Sequence, residues 1–426
     1  MPILRHYPTR LMAEAERVVL RPFHLASEPR DLNPPQTQRA RRILDAVLAL
    51  SETECTAMLS EINVDFAQRH WQARQVYLDR FHSIAEELHF DTPLSDTRRQ
   101  LIGAHFCHEY SYAAAALMNP AVVPHPDQSG MPTGSQRFIL SLRAVGEGHI
   151  SSIAFREGIV DAQGDLSLWP QPPFSIALGA TEIGRDGSVT AVRTDSINIS
   201  GAVIFPFTQA QRNGLEDLRL VRFEPRRGEA MYYGTYTAYS GSSVRSELLS
   251  TADFRTFHLA PLAGDAVRSK GMALFPRPLN GDYAMVGRQD NESLFLLRSD
   301  DLMHWSGGEK LLSPRFPWEF VQMGNCGAPI ELDEGWLLLT HGVGAVRKYS
   351  IGAALLDKRD PRKVLARSIK PLMSPSEAGR EGYVPNVVYT CGALKHGQTL
   401  LMPYGVADSS VAFALVDIPA LLASLG

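Results

Sequence analysis

Apolar positions along the chain follow two different periods. Between about residues 36 and 117 they recur at helical spacing. Ile43, Leu44, Val47, Leu48 and Leu50 form one stripe over Ala40–Leu50, and Val76, Tyr77, Phe81, Ile84, Ala85 and Leu88 form another over Trp71–Leu88. Residues three and four apart share one face of a helix, so each stripe predicts an amphipathic helix. Between them, Ser51-Glu-Thr-Glu54 predicts a capping box, in which a serine and a glutamate three residues on satisfy each other's backbone N–H. Arg98–Leu117 reads as a last helix, and Gly103 is the one glycine before Gly130.

After Asn119-Pro120 the period changes to short runs punctuated by glycine and proline. Arg137–Arg143 and Glu229–Tyr239 alternate as strands do. Four short apolar runs, each followed by a turn and a second strand, begin at Asp217, Ala273, Gly327 and Val384. A repeat of about 55 residues with some four strands per unit is the mark of a β-propeller blade. Ser250–Phe257 and Ser299–Trp305 match as well, each a strand end, a turn containing Asp and an aromatic stop. Residues 119–200 have room for one more unit. The fold class expected is therefore mainly β, a five-bladed β-propeller over residues 118–426 with a mostly α-helical extension over residues 1–117. A β-sandwich with accidental spacing is the alternative.

Composition changes this picture little. The 426 residues are 44% hydrophobic and 21% charged, with 42 basic and 46 acidic side chains and a formal net charge of −4. That balance gives no electrostatic reason to expect a nucleic acid or an anionic membrane as partner. Cys55, Cys107, Cys326 and Cys391 are far apart with no Cys-x-x-Cys pair, which reads as free thiols in a reducing compartment. The N-terminal residues show no apolar signal core, and no window approaches the ~18 apolar residues of a membrane span. The cytoplasm is the expected location.

In a propeller, polar residues at matching blade positions meet at one end of a central channel. Gly214-Leu-Glu-Asp-Leu-Arg219 puts Glu216, Asp217 and Arg219 at the start of an inner strand. Strict alternation would place Asp217 and Arg219 on one face and Glu216 on the other. Clusters at comparable positions include Arg288, Asp290 and Glu292, then His341 with Arg347, and then Asp408. Gly146-Glu-Gly-His149 lacks the lysine of a phosphate-binding loop, and Glu147 and His149 read instead as a polar turn beside a sugar pocket. No metal-protease, serine-nucleophile or calcium-loop motif occurs, so no metal and no cofactor is expected.

These residues resemble glycoside hydrolase family 130 from about Asn119 to the C-terminus. The motifs that carry the resemblance are Gly214–Arg219, Tyr236-Thr-Ala-Tyr239, Ala273-Leu-Phe-Pro276, His341-Gly-Val343, Gly352–Asp357, Arg380–Val388 and Tyr404–Asp408. The resemblance implies a five-bladed propeller that cleaves β-mannosidic bonds of short manno-oligosaccharides with inversion. It implies Asp217 as general acid, acting through a sugar hydroxyl. It also implies a substrate pocket containing Asn119, Arg143, Asp290, Asn325, His341, Asn386 and Asp408, to which Glu147, His149, Glu216 and Tyr239 are added. The helical extension lies outside the family pattern and is read as a structural or homo-oligomerisation element.

The nucleophile is either phosphate or water. Phosphate, as co-substrate, needs cationic donors, and Arg245, Lys270, Arg288, His341 and Arg347 are the candidates. Water needs a carboxylate base, for which Glu292, Glu319 and Glu381 are candidates. Gln322 stands where the family's phosphorylases tend to carry Lys, and Tyr383 stands where they tend to carry an acidic residue. Both departures tilt the expectation to hydrolysis, a β-mannosidase with β-1,2 among the linkages it admits. Phosphorolysis to mannose 1-phosphate, or its reverse transfer, is the alternative. A non-catalytic glycan-binding propeller is the reading from another class.

Overall fold

The computed structural model describes residues 2–23, 25, 37–66, 68–70, 72–193, 198–226, 228–376 and 380–426. The fold is mainly β, and the chain divides into two compact units. One comprises Glu16–Ser111 with Pro173–Ala177, and the other Met1–Ala15, Tyr112–Pro172 and Leu178–Gly426. No helix among the described residues is long and apolar enough to cross a membrane.

The smaller unit contains four helices, α1 (Thr37–Leu48), α2 (Glu52–Phe66), α3 (Ala73–Glu87) and α4 (Asp96–Ala104). Their apolar stripes meet in one core that includes Leu44, Val47, Cys55, Phe81, Ile84, Leu101 and Phe106. The capping box forms as expected. Ser51 N–H donates to Glu54 Oε2 at 2.7 Å, and Glu54 N–H donates to Ser51 Oγ at 3.2 Å. Arg98 closes the C-terminal end of α1. Its Nη1 donates to the Val47 and Leu48 carbonyls at 2.7 and 3.0 Å, and its Nη2 donates to the Leu50 carbonyl at 2.8 Å. A cation at this end meets carbonyls that have no partner within the helix and complements the helix dipole. Trp71, the expected start of the third helix, lies outside the described residues.

The last helix is shorter than the sequence pattern suggests. It ends at Ala104, and Cys107–Ser111 is instead a strand paired antiparallel with Val18–Pro22. Helix propensity is a weak prior that a paired strand overrides. Tyr110 is buried within that strand.

The larger unit is built from antiparallel sheets that succeed one another along the chain. Ala116–Pro124, Gln136–Val145, Ser151–Val160 and Leu166–Leu168 pair in sequence, as do Gly214–Arg226, Glu229–Tyr239, Val244–Thr251 and Thr256–Pro261. These two groups are joined by a single parallel pairing, Gly214 with Ser151. Two further sheets run over 273–312 and 322–367. The last sheet takes strands from both ends of the chain. Leu4–Leu11 pairs with Ser410–Asp417, so a segment that the sequence pattern groups with the extension belongs to this unit.

Two repeats differ in detail from their expected positions. The strand expected at Gly327–Ile330 forms at Gln322–Asn325, and the one at Val384–Val388 shortens to Val388–Tyr389. Pro329 and Pro385 lack the N–H that a ladder needs, and Gly327 and Asn386 sit at φ +99° and +63°, outside the extended region. The Asp turns form as read. Asp253 Oδ1 accepts from the N–H groups of Arg255 and Thr256, Asp301 Oδ1 accepts from Met303 N–H, and Phe257 and Trp305 are fully buried.

The one glycine of the helical region reports how closely α3 and α4 pack. A Cβ on Gly103 would fall 1.8 Å from the Tyr77 carbonyl oxygen. Helix propensity alone favours alanine by about 1 kcal/mol. Overpacking against a backbone costs about 1–3 kcal/mol and should win. Gly103→Ala is therefore expected to lower stability in urea unfolding followed by far-ultraviolet circular dichroism. A variant as stable as the parent would contradict this close approach.

Candidate active site

The functional side chains are aimed by irregular backbone. The strand Gly214–Arg226 carries a bulge between Glu216 and Arg219, and Ala116–Pro124 carries one between Met118 and Ala121. At these bulges Asp217 and Asn119 have φ of +57° and +49°. A bulge breaks strict alternation and re-aims a side chain. His149, Arg347, Asn386 and Asp408 also have positive φ. Non-glycine residues seldom adopt this region, and where they do the strain clusters at working sites.

The bulge corrects the face assignment made from alternation. Glu216 and Asp217 do not diverge, because both reach the same guanidinium. Arg143 Nη2 donates to Glu216 Oε1 at 2.7 Å, and Arg143 Nη1 donates to Asp217 Oδ1 at 3.1 Å, with Ser151 Oγ taking Nε at 2.8 Å. Asn119 Nδ2 adds a 2.6 Å bond to Asp217 Oδ1. Lys270 Nζ holds the other Glu216 oxygen at 2.5 Å and lies 5.8 Å from the centre of the Tyr239 ring.

These groups border a pocket of about 210 Å³ lined by Asn119, Arg143, Asp217, Lys270, Arg288, Asn325, His341, Arg347 and Asp408, which the sequence reading names. Arg219, Gln322, Tyr349 and Tyr389 line it too. Arg219 lay in a recognised motif, yet only its neighbours were assigned to the site. The two tyrosines had no sequence signal beyond their place in the repeats. A larger surface groove of about 700 Å³ has Lys395 as its one Lys or Arg side chain and no Asp or Glu.

Charge sets the pocket's character. Five cations, Arg143, Arg219, Lys270, Arg288 and Arg347, line it against two carboxylates, Asp217 and Asp408. Arg143 and Lys270 are engaged by carboxylates. Arg219, Arg288 and Arg347 have no carboxylate within ion-pair distance among the described residues. Arg219 donates instead to the Asp217 carbonyl at 3.0 Å and to Tyr389 Oη at 2.6 Å, and the buried Nε of both Arg219 and Arg288 lacks a partner.

The two carboxyls titrate apart. Burial raises the Asp217 pKa, but Arg143, Arg219, Asn119 and Lys270 outweigh it and hold this group below the usual carboxylate range. Burial pushes Asp408 up to about 6, and the Asp217 charge adds to the rise against Arg143 and Arg347. His341 goes the other way. Burial, Arg288 and Arg219 lower it to about 3, so the ring is neutral.

Other expected site residues are engaged elsewhere. Asp290 Oδ1 accepts from the N–H groups of Glu292 and Ser293, making a turn, and its other oxygen faces Lys310. Arg245 is spent on Glu247. Glu319 is buried on the N–H groups of Arg315 and Phe316 and on Arg367. Glu292 and Glu381 are exposed and do not line the pocket. Asn325 lines the pocket, but its amide donates to the carbonyls of Gly271 and Val286. Glu147 and His149 lie on an exposed turn, where Tyr383 Oη sits 2.9 Å from His149 Nδ1. Asn386 contributes its carbonyl to Tyr349 N–H.

Asp408 also bears on stability. An unfolded aspartate titrates near 4, so the native chain holds this proton more tightly than the unfolded chain does. Stability from this group is therefore full below about pH 4 and is lost as pH rises through about 6. Asp408→Asn is expected to be more stable than the parent at pH 7.5, by about 2–3 kcal/mol. The advantage should vanish near pH 4. Thermal unfolding across that range is the check, and a variant less stable at pH 7.5 would contradict the charge pairing.

The sequence profile of glycoside hydrolase family 130, described as β-1,4-mannooligosaccharide phosphorylase, matches residues 186–425. The 1,2-β-oligomannan phosphorylase of Thermoanaerobacter sp. (strain X514) is 33% identical over 237 residues, covering 53% of this chain and 77% of that protein. The β-1,2-mannobiose phosphorylase of Listeria innocua is 34% identical over 219 residues, 49% of this chain and 59% of its own length. Among solved structures, the Listeria innocua β-1,2-mannobiose phosphorylase in complex with β-1,2-mannobiose aligns at a TM-score of 0.52 and 22% identity, over 73% of this chain and 92% of that one. A glycosyl hydrolase from Bacteroides ovatus aligns at 0.52 and 19% identity, over 72% and 86%. At such identities the structural likeness speaks for the fold alone. The profile match over more than half of the chain goes further, and the chain belongs to glycoside hydrolase family 130.

Proposed function

We propose that the protein is an inverting β-mannoside phosphorylase that converts short β-manno-oligosaccharides and phosphate to α-mannose 1-phosphate and a shortened sugar. The observation that carries the reading is the surplus of cations in the pocket. Three guanidiniums without carboxylate partners, Arg219 buried, Arg288 half-buried and Arg347 exposed, suit a bound dianion, because charge-assisted bonds to phosphate offset its desolvation. The reading reverses the hydrolytic expectation from sequence. A lysine at position 322, where Gln322 stands, is not needed as the anion-binding cation when Arg219, Arg288 and Arg347 are present. None of the three glutamates considered as a base lines the pocket. The curated relatives named as phosphorylases support the same choice.

In this mechanism the dianion also prepares the acid. Asp217 is held ionised by surrounding cations, and a phosphate placed among them cancels that field and raises the Asp217 pKa. Protonated Asp217 then delivers its proton through a hydroxyl of the bound mannosyl unit to the leaving oxygen. Phosphate attacks the anomeric carbon from the opposite face. The free carboxyl of Asp408 and the unpartnered Oδ1 of Asn119 are placed to accept from sugar hydroxyls. We further propose that the 116–168, 214–261, 273–312, 322–367 and 388–417 strand groups are five propeller blades, the last completed by Leu4–Leu11, within a catalytic body of residues 118–426. Their inner strands supply Asn119, Asp217, Asn325 and Tyr389 to one pocket, which supports that arrangement.

The test is incubation with β-1,2- and β-1,4-mannobiose, with and without phosphate. Mannose 1-phosphate should form only with phosphate. Asp217→Asn should lose at least about 100-fold in kcat. Arg288→Gln should raise the KM for phosphate by about tenfold or more. Release of free mannose at a rate indifferent to phosphate would overturn the proposal.

A further inference from the structure

His341 presents an unusual partner to an anion pocket. Its ring is buried and packs closely against Gly324, where an added Cβ would come 2.3 Å from Cε1 and 2.8 Å from Nε2. Tyr349 stacks on it with centroids 5.8 Å apart at 21°, and Tyr389 packs at 4.9 Å. Nδ1 lies 3.2 Å from the Asn325 carbonyl oxygen. A carbonyl can only accept, so Nδ1 carries the ring proton and Nε2 keeps its lone pair. The Cys326 thiol, 3.9 Å from Nδ1, is a weak donor at long range, and the nearer carbonyl sets the tautomer. The ring does not gain a second proton near neutral pH. Burial and the facing Arg288 and Arg219 oppose it more strongly than the Asn325 carbonyl and Asp217 favour it. No described residue donates to Nε2.

The sequence reading counts His341 among donors to phosphate, but a bare lone pair repels a fully ionised oxygen. We infer that Nε2 of His341 accepts the P–O–H hydrogen of monohydrogen phosphate, so that the pocket selects tetrahedral anions that carry a proton over those that do not. This rests on the phosphorolytic reading. The remaining oxygens of the anion then face Arg219, Arg288 and Arg347, all of which line the same pocket.

The balance of the reaction closes through this proton. A phosphate oxygen forms the new bond to the anomeric carbon as the glycosidic C–O bond breaks, and the leaving oxygen gains the proton of Asp217. The product leaves as the mannose 1-phosphate dianion, and the proton brought in on phosphate restores Asp217. No oxidant, reductant or further reactant is needed.

The experiment uses the full chain with a β-mannobiose at pH 7.5. Arsenate, which carries a proton at this pH, should support sugar release within about tenfold of phosphate. Sulfate and monofluorophosphate, dianions of similar shape without a proton, should inhibit with a Ki at least about tenfold above the phosphate KM. In His341→Gln, whose amide can donate, the ratio of sulfate Ki to phosphate KM should fall by about tenfold or more. Wild-type inhibition by sulfate and monofluorophosphate as tight as phosphate binding would overturn the assignment, and this arm needs no variant to fold. So would a His341→Gln enzyme with an altered KM for the mannoside but an unchanged anion ratio, since the ring would then serve the sugar. Turnover indifferent to phosphate would defeat the phosphorolytic reading itself, an outcome distinct from phosphate-dependent turnover without anion selectivity.

Discussion

Arg143 is the interaction on which the site depends. It sits between two adjacent carboxylates, Glu216 and Asp217, that an unbroken strand would send to opposite faces. Both acids can share one buried location only because a guanidinium with fixed, planar donors bonds each of them. Its third direction is taken by Ser151, so the cation has little freedom left. The left-handed backbone at Asp217 and Asn119 costs about 1–2 kcal/mol per residue. The Asn119–Asp217 bond at 2.6 Å and the Arg219 bond to the Asp217 carbonyl help to offset it.

Around that clamp the pocket sorts its charges by task. Arg143 and Lys270 are bound to carboxylates and position them. Arg219, Arg288 and Arg347 are not, and their unspent charge is what an anionic co-substrate would meet. The same field keeps Asp217 ionised against burial, while burial is the main cause that keeps His341 neutral and leaves Asp408 as the carboxyl that protonates first. Three titratable groups in one small cavity are thus driven to different protonation states by burial and by the order of their neighbours.

Some elements were legible because their cause is local. The capping box at Ser51 and Glu54, the stripes through Leu44, Val47, Phe81 and Ile84, and the Asp turns at 253 and 301 depend on residues within a few positions of one another. The segment 107–111 is a strand instead of the expected helix because it pairs with Val18–Pro22, far away in sequence. Asp290 looked like a site residue by repeat position, and Glu319 and Arg245 by type. Each is satisfied by a turn, by backbone N–H groups or by a neighbouring carboxylate, which composition and spacing do not reveal.

The sequence by itself determined the period of the repeats, the mainly β class, the family and the set of polar residues available to a site. These follow from side-chain alternation, turn chemistry and motif order, all of which are written along the chain. Which of those residues meet was decided by tertiary structure. Bulges turned Asn119 and Asp217 toward each other across about a hundred residues of sequence, and the convergence of separate sheets made one pocket from Lys270, Arg288, His341, Arg347 and Asp408. Protonation was decided there too. The same aspartate side chain is held ionised at position 217 and pushed up to about 6 at position 408, because burial and neighbouring charge exist only once the chain has folded.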